Sequence, residues 1–243
     1  MSDVVVRLAP AKLNLTLAIL GRRPDGYHAL HSVFVPLALA DRLSVSPAAG
    51  PEETLRVEGA DAGPVADNLV LRAIRATRES VRATLGPGIA TPALAARLEK
   101  RIPVAAGMAG GSSDAAAAIL AALEAWGAAD ELPAEERLAV GASIGSDVPF
   151  FLAADPPTAA LVEGRGERVT VLPGALPRLG VLVVTPAVPV STPAVFAAYA
   201  AGARPGGAAA LLASEHLAGE LRAGLTARAL LDRASVKIGR AHV

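Results

Sequence analysis

A strand, a glycine-rich loop and an alanine-rich helix follow one another between residues 102 and 126, and the rest of the chain must be built around this unit. We expect a strand over 95–102 and a helix over 113–126, because the glycines end at Gly111 and alanines dominate afterwards. Glycine lets a backbone approach a ligand where a Cβ would clash, and the N–H groups at a helix N-terminus attract anions. The unit therefore predicts a phosphate-binding loop.

Two familiar phosphate-binding motifs do not describe this loop. Gly111 is followed by Ser112 and Ser113 rather than by lysine and a hydroxyl residue, so the loop is not a Walker A motif. The G-x-G-x-x-G fingerprint of dinucleotide-binding folds is absent. The alternative to a phosphate loop is a glycine-rich turn that only caps the helix.

The composition excludes several classes of function. The 23 basic and 23 acidic residues balance, which argues against binding to nucleic acid or to an anionic membrane. Cysteine is absent, so disulfides and thiolate catalysis are excluded, and the four histidines are too scattered to predict a metal site. Prolines interrupt the longest uncharged stretch, 179–203, and Arg7 and Lys12 fall where a signal peptide would be apolar. We expect a cytoplasmic protein.

Lysine and asparagine are rare in this chain. The lysines are Lys12, Lys100 and Lys237, the asparagines are Asn14 and Asn68, and nearly all other basic residues are arginine. A lysine and an asparagine two positions apart therefore suggest a chemical role for Lys12 and Asn14.

Apolar periodicity predicts mixed secondary structure. We expect one or two strands over 4–20 with a break at Pro10, and two further strands over 32–39 and 42–46. Asp67 is the expected N-cap of an amphipathic helix, and a second helix is expected over 133–144.

The later part of the chain has a different texture. A buried strand is expected over 181–185 and a helix from Thr192, with a border between subdomains at 156–174. This order predicts an α+β fold with two domains, 1–156 and 157–236.

Four segments in order resemble the GHMP kinase superfamily: residues 9–15 (APAKLNL), 25–28 (DGYH), 102–116 (IPVAAGMAGGSSDAA) and 145–151 (GSDVPFF). The first, second and fourth resemble the branch that phosphorylates the 2-hydroxyl of 4-diphosphocytidyl-2-C-methyl-D-erythritol in non-mevalonate isoprenoid synthesis. The resemblance covers about residues 5 to 200 and implies a GHMP kinase fold that holds ATP and Mg²⁺. The rival interpretations are a GHMP kinase for another alcohol, such as homoserine or mevalonate, and an inactive nucleotide-binding fragment.

The resemblance implies a role for each matching residue. Asp147 would be the catalytic base, although a plain N-cap is the alternative, and Lys12 its partner, offsetting negative charge in the transition state. A serine hydroxyl of the loop would lie near Mg²⁺, whose ligands stay unassigned. The ATP-binding residues would be Pro103, Val104, Ala105, Ala106, Gly107, Met108, Ala109, Gly110, Gly111, Ser112, Ser113 and Asn68. The substrate-binding residues would be Asn14, Tyr27, His28, Thr192 and Phe196, although Tyr27 and His28 could equally be surface loop residues.

Two departures from the family pattern lead to further expectations. Ala105, Ala106 and Ala109 stand where the family usually has glycine, so we expect negative φ at these positions. After residue 200 the resemblance fades, and 237–243 match the translation of a common sequencing adapter. We expect a truncated gene with a foreign tail and an uncovered apolar segment at 181–184; the alternative is an ordinary short C-terminus.

Overall fold

The computed structural model describes residues 4–24, 26, 28–59, 63–173, 180–184 and 207–224. The strands are β1 (Val5–Asn14), β2 (Ala18–Arg22), β3 (His28–Pro47), β4 (Thr54–Gly59), β5 (Leu94–Lys100), β6 (Ala160–Gly164) and β7 (Arg168–Val171). The helices are α1 (Leu69–Leu85), α2 (Gly110–Ala125), α3 (Ala134–Ile144), α4 (Val148–Leu152) and α5 (Gly207–Arg222), with short 3₁₀ turns at Val65–Asp67 and Gly86–Gly88. Within these ranges, no helix is long and apolar enough to cross a bilayer. The predicted α+β class is confirmed.

The chain forms two compact units that interleave along the sequence. The first comprises the described residues of 4–11, 37–104 and 109–155, and the second those of 12–36, 105–108 and from 156 onward. β1 and β3 pair with each other and contribute residues to both units. The sequence analysis instead predicts two domains that are each continuous in the chain, 1–156 and 157–236. This division stays a prediction. The expected tail, 237–243, lies outside the described residues.

The first unit combines a three-stranded sheet portion with four helices. β4 runs parallel to β5, and β5 runs antiparallel to the second half of β3, with Arg42 opposite Glu99. α2 is buried on nearly every side, since its alanines leave room for α1, α3 and α4 to approach closely. α1 buries Val70, Ile74 and Val81 on one face, as its apolar periodicity predicts.

The second unit is built on the first half of β3. β2 and β6 both pair antiparallel with this half, and β7 extends the sheet from β6. α5 packs on β2, and the core joins Val33, Leu161 and Leu221 among other apolar residues.

Three predicted boundaries were wrong. β1 runs through Pro10, because an extended strand suits the fixed φ of proline and loses only one N–H group. The two strands expected over 32–39 and 42–46 are one strand, β3. The chain does not turn at Asp41, whose carboxylate accepts a hydrogen bond from the backbone N–H of Arg101, just after β5. The N-cap of α1 is Asn68 rather than Asp67, which ends a 3₁₀ turn.

The predicted buried strand over 181–185 was also wrong. Residues 181–184 are irregular and exposed, and Leu182 is 88% exposed. An apolar run favours burial but cannot supply the surface that would cover it. Residue 185 and the helix expected from Thr192 lie outside the described residues.

Candidate functional site

The glycine-rich loop joins the end of β5 to the start of α2. The N-cap of α2 is Ala109, whose side chain cannot accept a capping hydrogen bond. Ser113 is the first residue whose N–H bonds back one turn, to the Ala109 carbonyl at 2.9 Å, so the N–H groups of 110–112 precede the helical ladder. Gly111 is exposed. A helix that begins this way can receive an anion at its N-terminus.

The backbone of the loop is left-handed at two alanines. φ is 56° at Ala105 and 54° at Ala109, so the expectation of negative φ was wrong there and confirmed only at Ala106. A left-handed conformation costs an L-residue roughly 1–2 kcal/mol, and such strain persists where the surroundings enforce it. The loop thus keeps a glycine-like path although alanine occupies it.

Gly110 begins α2 in a position that has little room for a side chain. A Cβ at this residue would lie 3.1 Å from Cγ2 of Ile102 and 3.3 Å from Nζ of Lys100. The first turn of α2 therefore packs directly against Lys100 at the end of β5 and Ile102 just after it.

Lys12 is attached to this loop within the second unit. Its backbone N–H donates to the carbonyl of Met108 at 3.1 Å. The side chain is buried, and its Nζ donates to Oδ1 of Asn14 at 2.7 Å and lies 4.5 Å from the ring centroid of Phe34. The second unit thus brings Lys12, Asn14 and Met108 together.

The amide of Asn14 is oriented by its other hydrogen bond. Nδ2 donates to Oγ of Ser32 at 3.2 Å, and the Ser32 hydroxyl donates in turn to the carbonyl of Thr16. The amide oxygen is therefore left to accept from Lys12. Asn14 was predicted to contact substrate; the structure shows it holding the Lys12 ammonium.

Asp147 precedes α4 in the first unit and is half-buried. Its side chain makes no capping hydrogen bond, so the geometry gives no support to a plain N-cap role. Two residues earlier, a Cβ at Gly145 would lie 3.8 Å from Oγ of Ser112. The turn that carries Asp147 therefore lies beside the start of α2.

The remaining predicted residues are less informative. Asn68 caps α1 by accepting the N–H of Val70 at 3.0 Å, a structural role that leaves its predicted contact with ATP untested. His28 begins β3 opposite Arg22. Tyr27, Thr192 and Phe196 lie outside the described residues.

Sequence reasoning missed a buried ionic cluster beneath the loop. Lys100 Nζ donates to Oδ2 of Asp114 at 2.7 Å and to Oδ2 of Asp41, and all three side chains are buried. Burial lowers the pKa of Lys100, but the two carboxylates outweigh it and the net shift is upward. Burial also raises the pKa of Asp114 to about 7; Lys100 opposes this shift and Asp41 adds to it. The rarity of lysine could have revealed Lys100 just as it indicated Lys12.

A second missed cluster lies in the other unit. Oγ of Ser214 lies 2.9 Å from Nδ1 of the buried His31 and 2.7 Å from Oγ1 of Thr16. No sequence signal links α5 to these residues, because 183 positions separate Ser214 from His31.

Comparison with known proteins places this site in a family. Residues 68–155, which include the loop and Asp147, match the profile described as GHMP kinases N terminal domain. The chain belongs to the GHMP kinase family. The fold expected from the sequence is thereby confirmed.

Within the GHMP kinases, the chain is similar to proteins named 4-diphosphocytidyl-2-C-methyl-D-erythritol kinase. The protein from Pelotomaculum thermopropionicum is 44% identical over 202 residues, which cover 83% of this chain and 66% of the relative. The protein from Symbiobacterium thermophilum is 46% identical over 188 residues, which cover 76% and 61%. A crystal structure of 4-(cytidine 5'-diphospho)-2C-methyl-D-erythritol kinase matches with a TM-score of 0.57 and 36% identity, over 80% of this chain and 64% of that one. The chain thus spans less than two thirds of the length of these relatives.

Proposed function

We propose that this GHMP kinase transfers the γ-phosphate of ATP to the 2-hydroxyl of 4-diphosphocytidyl-2-C-methyl-D-erythritol, a step of isoprenoid synthesis in the cytoplasm. The observation that carries the proposal is the start of α2, where an alanine N-cap leaves the first N–H groups to an external anion. The substrate follows from the names of the relatives and from the DGYH segment at 25–28.

Phosphoryl transfer depends mainly on positioning and on neutralising charge. Loop residues 103–109, the N–H groups of 110–112 and the side chain of Ser113 would hold the phosphates of ATP and its metal ion. The buried hydroxyl of Ser113 has no hydrogen-bond partner among the described residues, which suits a nearby ligand such as Mg²⁺. Bound there, Mg²⁺ would neutralise charge on the phosphates.

The protein side chains would do the remaining chemistry. Asp147 would accept the proton of the attacking hydroxyl, as the resemblance of the segment 145–151 to the family implies. Lys12, oriented by Asn14, would offset the negative charge of the transition state. Tyr27, His28 and Phe196 would form the cytidine pocket, and Thr192 would contact the substrate.

Release of ADP tests the proposal when the purified chain is given Mg-ATP with and without 4-diphosphocytidyl-2-C-methyl-D-erythritol. We expect substrate-dependent release, reduced at least ~100-fold in kcat by Asp147→Ala with Mg-ATP binding retained. Asp155→Ala is the matched control, because this exposed aspartate pairs with Arg7 in the same unit.

Three other outcomes would contradict parts of the proposal. Release that depends on homoserine or mevalonate instead would refute the substrate. Mg-ATP binding without turnover would refute the activity. A large loss of ATP affinity in Asp147→Ala would refute the role of this residue as base.

A further inference from the structure

The ionic cluster of Lys100, Asp41 and Asp114 contacts the chain on both sides of the phosphate loop. Before the loop, Oδ1 of Asp41 accepts the backbone N–H groups of Arg101 at 2.5 Å and Ile102 at 2.8 Å. After the loop, Asp114 belongs to the second turn of α2 and accepts from Lys100. Lys100 joins the two carboxylates, and so joins the two ends of the loop.

Burying these three charged side chains costs free energy, so the presence of the cluster needs an explanation other than stability. The exposed fractions of the Lys100, Asp41 and Asp114 side chains are only 4%, 0% and 4%. Removing charges from water costs several kcal/mol per ion, and apolar residues of similar volume often serve stability as well or better. A cation is also unfavourable beside a helix N-terminus, where Lys100 lies against Gly110. Directional hydrogen bonds give what apolar packing cannot, a fixed spacing between defined atoms.

We propose that Lys100, Asp41 and Asp114 are positioning residues for the ATP-phosphate loop: they set the distance between the end of β5 and the start of α2 that bound phosphates require. The inference rests on the proposed nucleotide site but not on the identity of the alcohol substrate. None of the three side chains needs to touch ATP. The cluster acts indirectly: by fixing the position of α2 through Asp114, it fixes the N–H groups at the start of this helix.

The test compares two changes at Asp114. Asp114→Ala removes the acceptor that ties α2 to Lys100, but leaves the neutral pair of Lys100 and Asp41 with its bonds to the loop entrance. Asp114→Asn keeps an acceptor oxygen for Lys100 and supplies an N–H group that can face Asp41. Glu124→Ala is the matched control, because Glu124 pairs with Arg7 at the opposite end of the same helix. The Kd of Mg-ATP is measured by calorimetry at a temperature at which circular dichroism shows every variant folded.

We expect the Kd of Mg-ATP to rise about 10-fold or more in Asp114→Ala and to stay within about 3-fold of wild type in Asp114→Asn and Glu124→Ala. Loss of affinity in Asp114→Ala and Glu124→Ala alike would overturn the proposal, because it would trace to helix stability. Unchanged affinity in Asp114→Ala, or no binding of Mg-ATP by the wild-type chain, would overturn it too. Binding that follows the expected order in a chain without kinase activity would uphold it while refuting the proposed function.

Discussion

The buried carboxyl of Asp114 should make the stability of this chain depend on pH in an unusual direction. Its pKa rises from 3.8 to about 7 on folding, chiefly through burial, with Lys100 opposing the shift and Asp41 adding to it. Between these two values the folded state holds a proton that the unfolded state has released. Stability therefore falls as pH rises through this window, the reverse of the usual behaviour of a salt-bridged aspartate. Asp114→Asn removes the titration and resembles the protonated acid.

The size of the effect follows from the two pKa values. Each pH unit between them costs about 1.4 kcal/mol of unfolding free energy, and the loss levels off above the pKa of the folded state. The difference between wild type and Asp114→Asn should therefore change by about 3 kcal/mol between pH 5 and pH 8. Lys100 and Asp41 are the charged side chains that set this value within the described residues.

Urea denaturation followed by circular dichroism at pH 5, 6, 7 and 8 measures this difference directly. Asp155→Asn serves as the control, since an exposed aspartate should give a difference that is small and nearly independent of pH. Added salt should leave the Asp114 effect largely intact, because buried charges are screened weakly. A constant difference between wild type and Asp114→Asn across these pH values would refute the reasoning, because Asp114 would then carry the same charge in both states.

Two predictions concern the loop backbone. Ala109→Gly should stabilise the fold by about 0.5–1 kcal/mol by relieving the left-handed strain, whereas Ala106→Gly should destabilise it by a similar amount; equal effects in thermal melts would contradict the assigned conformations. Gly110→Ala should destabilise the fold by about 1 kcal/mol or more, since its Cβ meets Ile102 and Lys100. Gly111→Ala should be neutral or stabilising, because its Cβ would lie 3.6 Å from Leu69 in ordinary contact. Melts in which both glycine changes act alike would show that Gly110 is not tightly packed.

The features that sequence could predict are those set by near neighbours. The loop and α2 follow from glycines and alanines that are adjacent in the chain, and α1 follows from its own periodicity. The features it could not predict depend on distant partners. β3 continues through Asp41 because this carboxylate bonds to residues about 60 positions later, and no local pattern reports that. The positive φ of Ala105 and Ala109 was missed for another reason. Alanine generally prefers negative φ, but the surroundings in the loop override this preference.

The two lysines of the described chain show what composition can and cannot assign. Each is retained where arginine is otherwise the rule, so each has a physical reason, but rarity alone does not say which reason. Their surroundings separate them. Two carboxylates accept from Lys100 and neutralise its charge, so it cannot also counter the charge of a phosphate. Lys12 donates through Nζ to the neutral amide of Asn14, and its backbone N–H donates to Met108 in the loop. We therefore propose positioning for Lys100 and, as the resemblance to the family implies, catalysis for Lys12.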